Sequence, residues 1–133
     1  MIITDTNVIA YLLLTGEYSA QAEKALRLDP VWAAPILWRS EFRNVLALYI
    51  RKKSLTVGQA IQIFDRADAL LDGREYTLSS RSVLELVARS NCSAYDCEFV
   101  ALAQDLGVSM VTVDKRIPAQ FPDVAVSLVD YIA

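Results

Sequence analysis

The strongest constraint on the fold is the alternation of short apolar segments with longer segments of helical period. The first short segment ends at Asp5, near the start of the chain. The others lie at residues 31–34, 76–78, 109–113 and 125–129. Short apolar runs bounded by turn residues are typical of strands buried on both faces of a sheet. Strands that alternate with helices form parallel sheets with right-handed crossovers. The sequence therefore predicts an α/β fold, a three-layer sandwich in which a short, mostly parallel sheet is flanked by helices on both faces.

Helices are predicted wherever apolar residues recur every three or four positions. They cover residues 6–14, 19–28, 37–53, 56–71, 79–89 and 93–106. The apolar stripes of two of them predict core positions, which are Trp38, Phe42, Val45, Leu46 and Tyr49 in one helix and Ile61, Phe64 and Leu71 in the next. A Pro-containing loop is predicted to lead into the last strand.

Composition sets the broad class of the protein. The chain has 133 residues, 54% of them hydrophobic, with only 4 Gly and 4 Pro, which predicts one domain over residues 1–133 with a substantial core. The longest uninterrupted apolar run, residues 8–14, is too short to span a bilayer. The first residues lack the basic region of a signal peptide. We therefore expect a soluble cytoplasmic protein with no membrane partner.

The absence of histidine narrows the chemistry. Without His, the chain cannot use Ser-His or Cys-His nucleophiles or a His proton shuttle, so catalysis must rest on carboxylates, Lys, Tyr or a metal held by oxygen ligands. The only cysteines, Cys92 and Cys97, are too few for a disulfide scaffold or a common zinc site. We predict that both are reduced and structural.

Four carboxylates are placed unusually for surface residues. Asp5 and Asp114 follow two buried strands, Glu41 lies on the core side of a helix, and Asp96 lies in the first turn of another helix. In open α/β sheets, ligands bind at the edge formed by the carboxyl ends of the strands. Carboxylates that converge there repel one another unless a cation neutralises them, and oxygen ligands alone select hard cations such as Mg²⁺ or Mn²⁺.

Each carboxylate also has a simpler explanation. Asp5 or the adjacent Thr6 can cap the following helix. Glu41 can extend to solvent or pair with a neighbouring Arg, and Asp96 can complete a capping box with Ser93. Asp114 can stabilise the turn after its strand. Four carboxylates directed to one edge of the sheet are harder to explain in this way. If Asp5 is a metal ligand, Thr6 is the expected cap of the following helix.

Four short motifs resemble those of the PIN-domain ribonucleases, and most closely the VapC-type toxins of VapBC toxin–antitoxin modules. The motifs are Ile3-Thr4-Asp5-Thr6-Asn7, Trp38-Arg39-Ser40-Glu41, the segment from Tyr95-Asp96 to Ala103, and Thr112-Val113-Asp114. The resemblance covers essentially the whole chain. It implies a metal-dependent endonuclease that cuts single-stranded RNA, a homodimer and an antitoxin partner.

The resemblance also assigns roles to individual residues. It implies an acidic site made of Asp5, Glu41, Asp96 and Asp114, in which the three aspartates are the expected Mg²⁺ or Mn²⁺ ligands and Glu41 is a further ligand or positions water. Asn7 and Thr112 are expected to support the ligands. Cys97, Glu98 and Ile117 depart from the usual family pattern. Glu98 lies about 200° around the helix from Asp96 and is left out of the site.

The overall charge does not by itself indicate a nucleic-acid partner. The formal net charge is −3, but basic residues gather in two places, near the start of the third helix and after the 109–113 strand. Arg39, Arg43, Lys115 and Arg116 are the candidates for contacts with substrate phosphates. A solvated helix face or a favourable interaction with a helix dipole would explain the same residues. A bound cation would locally invert the charge that RNA meets.

Other functions remain open. A receiver-like phospho-signalling domain also combines strand-end acids with Mg²⁺, but it needs a central-strand phosphoacceptor and a separate late-strand Lys, whereas Lys115 directly follows Asp114. A protein of the same fold without catalytic activity could use the acidic pocket structurally or to bind a basic peptide. A hydrolase with an aspartyl nucleophile fits less well, because Asp5-Thr6-Asn7 lacks a second Asp.

Overall fold

Short strands and helices alternate along the chain in the computed structural model, which describes residues 1–133. The strands are β1 (Ile2–Thr4), β2 (Trp32–Pro35), β3 (Glu75–Tyr76), β4 (Met110–Thr112) and β5 (Ala125–Ser127). The helices are α1 (Thr6–Leu13), α2 (Ser19–Leu28), α3 (Trp38–Arg51), α4 (Val57–Leu70), α5 (Ser80–Ala88), α6 (Ala94–Leu106), α7 (Arg116–Gln120) and α8 (Leu128–Ile132). No helix combines the length and apolar character that a bilayer crossing requires.

All strand pairs of the five-stranded sheet are parallel, and the strand order is β3-β2-β1-β4-β5. β1 lies at the centre, where Ile3 is in register with Ala33 on one side and Met110 on the other. The chain moves outward through α1 to α4 and then returns through α5 and α6, so right-handed crossovers place these two groups of helices on opposite faces. The predicted α/β sandwich is confirmed.

The core is built on this sheet and on the first turns of α3. Every residue of β1, β2 and β4 is buried, and Trp38, Phe42 and Leu46 of α3 pack into the same core. The prediction was wrong for Tyr49, which is 38% exposed because the end of α3 faces a surface cleft with two other tyrosines. It was also wrong for Ile61, which is 56% exposed because α4 is buried through the small residues Ala60 and Ala67.

Two short helices were not predicted. α8 begins inside the predicted strand 125–129, because the Ser127 hydroxyl accepts a hydrogen bond from the amide of Asp130 and thereby caps a helix. α7 forms within the predicted loop, and Pro118 fits there because it lies in the first turn, where its missing N–H has no helical partner to lose. Cys92 and Cys97 are free and buried, as predicted.

Candidate active site

The four predicted acidic residues line one pocket of about 270 Å³ at the carboxyl edge of the sheet. Asp5 directly follows β1 and Asp114 comes just after β4, so the parallel strands deliver both to this edge. Glu41 lies in the first turn of α3, which leaves β2 at the same edge, and Asp96 lies in the first turn of α6. The remaining polar residues that line the pocket are Thr6, Asn7 and Asn44.

Asp5 uses both carboxylate oxygens. Its Oδ1 accepts a hydrogen bond of 3.0 Å from the amide of Val8 and so caps α1, which corrects the expectation that Thr6 is the cap. Its Oδ2 accepts a hydrogen bond of 3.1 Å from the amide of Val113 and another from the Thr112 hydroxyl. Burial raises the pKa of Asp5 above its ordinary value, although these three donors oppose the rise and the charge of Asp96 adds to it.

Thr6 instead holds Glu41. The buried Thr6 hydroxyl donates a hydrogen bond of 2.7 Å to Glu41 Oε1. Glu41 makes no ion pair with an Arg, so that alternative was wrong. Burial is the main cause that raises the pKa of Glu41, and the negative charges of Asp96 and Asp5 raise it further. Both Glu41 and Asp5 are therefore carboxyl groups whose ionised forms are disfavoured by their surroundings.

Asp114 and Asp96 share a neighbouring cation, Arg116. Asp114 Oδ1 accepts a hydrogen bond of 2.9 Å from the Arg116 amide, which is the local turn contact that was considered as an alternative role for Asp114. The Arg116 guanidinium lies 2.8 Å from Asp114 Oδ2 and 3.8 Å from Asp96 Oδ2. This contact holds the pKa of Asp114 below its ordinary value. Ser93 caps α6 by accepting from the Asp96 amide, but the Asp96 carboxylate does not return the bond and the capping box is incomplete.

Thr112 connects two of the acidic residues. Its hydroxyl donates to Asp5 Oδ2 and accepts a hydrogen bond of 3.0 Å from the Asp114 amide. Asn7 is exposed and lines the pocket without an intramolecular side-chain bond. Sequence reasoning missed Asn44, although it lies three residues after Glu41 on the same side of α3. No sequence signal links Thr6 to Glu41, since only the tertiary packing of α1 on α3 brings them together.

The four predicted basic residues are separated by the fold. Only Arg116 contacts the acids of the pocket. Arg39 pairs with Glu75 at 2.6 Å and with Asp68, and Arg43 lies 5.6 Å over the ring of Phe64. Lys115 is exposed and lines a neighbouring cavity. Contacts of these residues with substrate phosphates stay a prediction.

The donor chemistry of the pocket fits a hard cation. Its lining supplies carboxylate, amide and hydroxyl oxygens, and it contains no thiol or imidazole. In the present arrangement, no three acidic side chains converge tightly enough to hold an ion. Two of the four acids are already engaged within the protein, because Thr6 donates a hydrogen bond to Glu41 and Arg116 pairs with Asp114.

Residues 2–125 match the sequence profile of the PIN domain. The chain belongs to the PIN-domain family. This PIN domain is 25% identical over 124 residues to Ribonuclease VapC3 of Pyrobaculum aerophilum. The alignment covers 91% of this chain and 95% of that protein. The predicted family is therefore confirmed, and the name of this relative agrees with the predicted resemblance to VapC-type toxins.

Solved structures share the fold of this PIN domain. The crystal structure of PAE2754 from Pyrobaculum aerophilum aligns with a TM-score of 0.75 at 16% identity and covers 98% of this chain and 92% of that one. A toxin–antitoxin complex from Klebsiella pneumoniae aligns with a TM-score of 0.71 at 18% identity and covers 96% of this chain and 98% of that one. At these identities, the likeness shows the common fold alone.

Proposed function

We propose that this PIN domain is a Mg²⁺- or Mn²⁺-dependent endoribonuclease that hydrolyses phosphodiester bonds of single-stranded RNA. The observation that carries the proposal is one pocket lined by four carboxylates from separate parts of the fold, in a chain without histidine. Membership of the PIN-domain family and similarity to a ribonuclease support a nuclease rather than another acidic binding site.

The proposed roles follow from the contacts of each residue. Asp5, Asp96 and Asp114 would hold the cation, with Asp5 fixed by the Thr112 hydroxyl and two backbone amides. When bound, Mg²⁺ or Mn²⁺ supplies Lewis-acid polarisation of a phosphate oxygen and activates water at neutral pH. Glu41 has one oxygen fixed by Thr6 and a raised pKa, so its carboxylate is suited to orient the attacking water and to accept its proton.

Arg116 is the proposed phosphate contact within the site. Its side chain is 64% exposed, and its guanidinium lies between Asp114 and Asp96, where it reduces the local negative charge. An Arg in this position can pair with a phosphate oxygen of the substrate as the acids take up a cation. Asn7 would contribute a neutral hydrogen bond at the open side of the pocket.

The proposed biological role is the toxin of a type II toxin–antitoxin pair, acting in the cytoplasm as a homodimer with a cognate antitoxin. The proposal of an antitoxin partner starts from the name of the relative Ribonuclease VapC3 and from the fold that the chain shares with the Klebsiella pneumoniae toxin–antitoxin complex. A groove of about 340 Å³ between α3 and α4 supports a protein partner in general, because it is lined mainly by apolar residues, including the exposed Val57 and Ile61.

Substitution of the acids tests the proposed activity. Asp96→Asn is expected to lower the cleavage rate with Mn²⁺ by at least roughly 100-fold, because it removes a charged ligand while keeping the side-chain shape. Asp5→Asn should have the same effect, although it also disturbs the cap of α1. Asp65→Asn, on the exposed side of α4, is the matched control and should cleave as wild type does.

Two outcomes of this experiment would contradict the proposal. Undiminished cleavage by a folded Asp96→Asn protein would remove the acidic pocket from the chemistry. Wild-type protein that binds RNA and metal but never cuts would favour a binding protein of the same fold.

A further inference from the structure

Three tyrosines surround a second cleft beside the acidic pocket. Tyr11 of α1, Tyr18 just before α2 and Tyr49 near the end of α3 line a cavity of about 250 Å³. Asn7 and Val45 line both this cavity and the acidic pocket, so the two are directly adjacent. We call this cavity the tyrosine cleft. Its three tyrosines have no part in the family resemblance or in the proposed chemistry.

The rings of the tyrosine cleft are accessible to a ligand. Tyr18 is 40% exposed and Tyr49 is 38% exposed, whereas Tyr11 is half-buried behind them. The ring centroids of Tyr11 and Tyr18 are 4.9 Å apart with an angle of 35° between their planes. Such a pair fixes the orientation of the exposed ring. The cleft therefore offers aromatic surface that the core does not use.

The loop that carries Tyr18 is fixed before any ligand binds. The Ser19 hydroxyl accepts a hydrogen bond of 2.9 Å from the Gly16 amide and donates one of 3.0 Å to the carbonyl of Leu14. These two bonds tie the start of α2 to the end of α1. Preorganisation of this kind reduces the entropy lost when a ligand stacks on the ring.

The chemistry of the tyrosine cleft favours a base over a phosphate. No Lys or Arg lines it, and its only charged residue is Glu17, which would repel a phosphate group. Aromatic side chains beside a backbone-binding site are the usual platforms for unstacked bases of single-stranded RNA. The side chains of Asn7 and Thr15 provide polar groups at the rim for hydrogen bonds to a base edge.

We propose that the tyrosine cleft binds one nucleobase of the RNA, next to the phosphodiester bond that lies at the acidic pocket. The base rests on the exposed rings of Tyr18 and Tyr49, and Tyr11 supports Tyr18 from behind. This inference rests on the proposed ribonuclease function and deepens it, because it assigns the residues that choose the cut position relative to a base.

The first test removes the rings. Tyr18→Leu and Tyr49→Leu should each weaken binding of a single-stranded RNA to the Asp96→Asn protein by roughly 5- to 100-fold, the effect of losing one stacked base. Tyr18→Phe should bind as the parent does, since it keeps the aromatic face. Tyr131→Leu is the control, because Tyr131 of α8 lies near Asp29 and lines neither the tyrosine cleft nor the acidic pocket. Equal affinities for the parent and both Leu variants would overturn the proposal.

The second test removes the base. RNA oligonucleotides with one abasic ribose at each position around the mapped cut should show one position at which wild type loses 5- to 100-fold in kcat/KM. At that position, removal of the base should not lower the kcat/KM of the Tyr18→Leu variant any further, because the ring and the base act as one interacting pair. Fully additive losses at every position would contradict base stacking in the cleft.

The outcomes separate the two proposals. Wild-type cleavage that the tyrosine substitutions leave unchanged would overturn the tyrosine cleft as a base site while the ribonuclease function stands. Tyrosine-dependent RNA binding without any cleavage would overturn the ribonuclease function while the tyrosine cleft stands as a base site. Loss of self-association in Tyr49→Leu, measured by light scattering, with unchanged RNA kinetics would assign the cleft to a second copy of the chain and overturn the base site.

Discussion

Asp5 caps α1 with one carboxylate oxygen and accepts hydrogen bonds from Thr112 and Val113 with the other. The Thr112 hydroxyl donates a hydrogen bond to Asp5 Oδ2 and accepts one from the Asp114 amide, so one side chain orients two acidic residues. The chain gains this order at a cost, since partial burial raises the pKa values of both Asp5 and Glu41. Residues that act in catalysis are commonly held in unfavourable electrostatic surroundings of this kind.

Thr112→Val should impair cleavage in a pH-dependent way. The substitution keeps the shape of the side chain but removes a donor that lowers the pKa of Asp5, so that pKa rises further. Because the ionised form of Asp5 is needed, the acid limb of the pH–rate profile should move to higher pH, and the rate near neutral pH should fall by about 10- to 100-fold. Thr112→Ser, which retains the hydroxyl, should keep the wild-type profile. An equal loss at all pH values would argue against this positioning role.

Glu41→Gln should stabilise the metal-free protein while it lowers activity. Because the pKa of Glu41 is higher in the folded than in the unfolded protein, the free energy of unfolding falls as the pH rises between the two pKa values. At pH 7, ionised Glu41 therefore destabilises the folded protein. Gln keeps the acceptor for Thr6 and removes the charge. We expect a gain of up to about 1 kcal/mol, discounted because Glu41 is only half-buried, in denaturant unfolding with EDTA. Exposed Glu85→Gln is the control, and a lower stability for Glu41→Gln would refute the electrostatic account.

Arg39, which the sequence predicted as a contact for substrate phosphates, instead binds residues of two neighbouring elements. Its guanidinium binds Glu75 of β3 and Asp68 of α4 and lies 5.3 Å from the ring of Trp38, so one side chain joins α3 to its two neighbours. Glu75 also accepts a hydrogen bond of 2.9 Å from the Trp38 indole. Arg39 is thus placed to stabilise the elements that carry Glu41 rather than to reach the pocket.

Arg39→Met should lower the free energy of unfolding by about 1–3 kcal/mol, because it leaves the largely buried Glu75 carboxylate without its cation. The KM for RNA should stay at the wild-type value when the variant is assayed well below its Tm. Arg43→Met, which loses only a contact over Phe64, should cost about 0.5–1 kcal/mol. A raised KM without loss of stability would restore Arg39 as a phosphate contact.

The elements that the sequence predicts well are those with a clear period. α2 and α6 were predicted to within a residue, because Asp29-Pro30 ends the first and Ser93 starts the second. β1 was correctly placed directly before Asp5. α7 and α8 span only five residues each, too short for a helical period to show. The placement of the four acids around one pocket was predictable from their positions at strand ends and helix starts, whereas their catalytic role came mainly from the family resemblance and stays a prediction. The partners Thr6 and Glu75 were not, because they lie more than 30 residues from the groups they bind.

For the molecule as a whole, the acidic pocket is a source of instability that a cation would relieve. The net charge is −3, and the pocket concentrates carboxylates at one edge of the sheet. A ligand that binds only the folded state raises stability, by about 2.7 kcal/mol at 100 times its Kd. Mn²⁺ or Mg²⁺ should therefore raise the Tm of wild type and of Asp65→Asn but not of Asp96→Asn. The same shift in Asp96→Asn would place the cation elsewhere.

The central claim is that the acidic pocket is a metal-dependent site for RNA hydrolysis. The most direct test is incubation of the purified wild-type protein with a mixed pool of single-stranded RNA, first in EDTA and then with excess Mn²⁺ or Mg²⁺, followed by mapping of the product ends. We predict intact RNA in EDTA and defined internal cuts once either metal is added. Cuts that persist in EDTA, or RNA that stays intact with both metals, would contradict the claim.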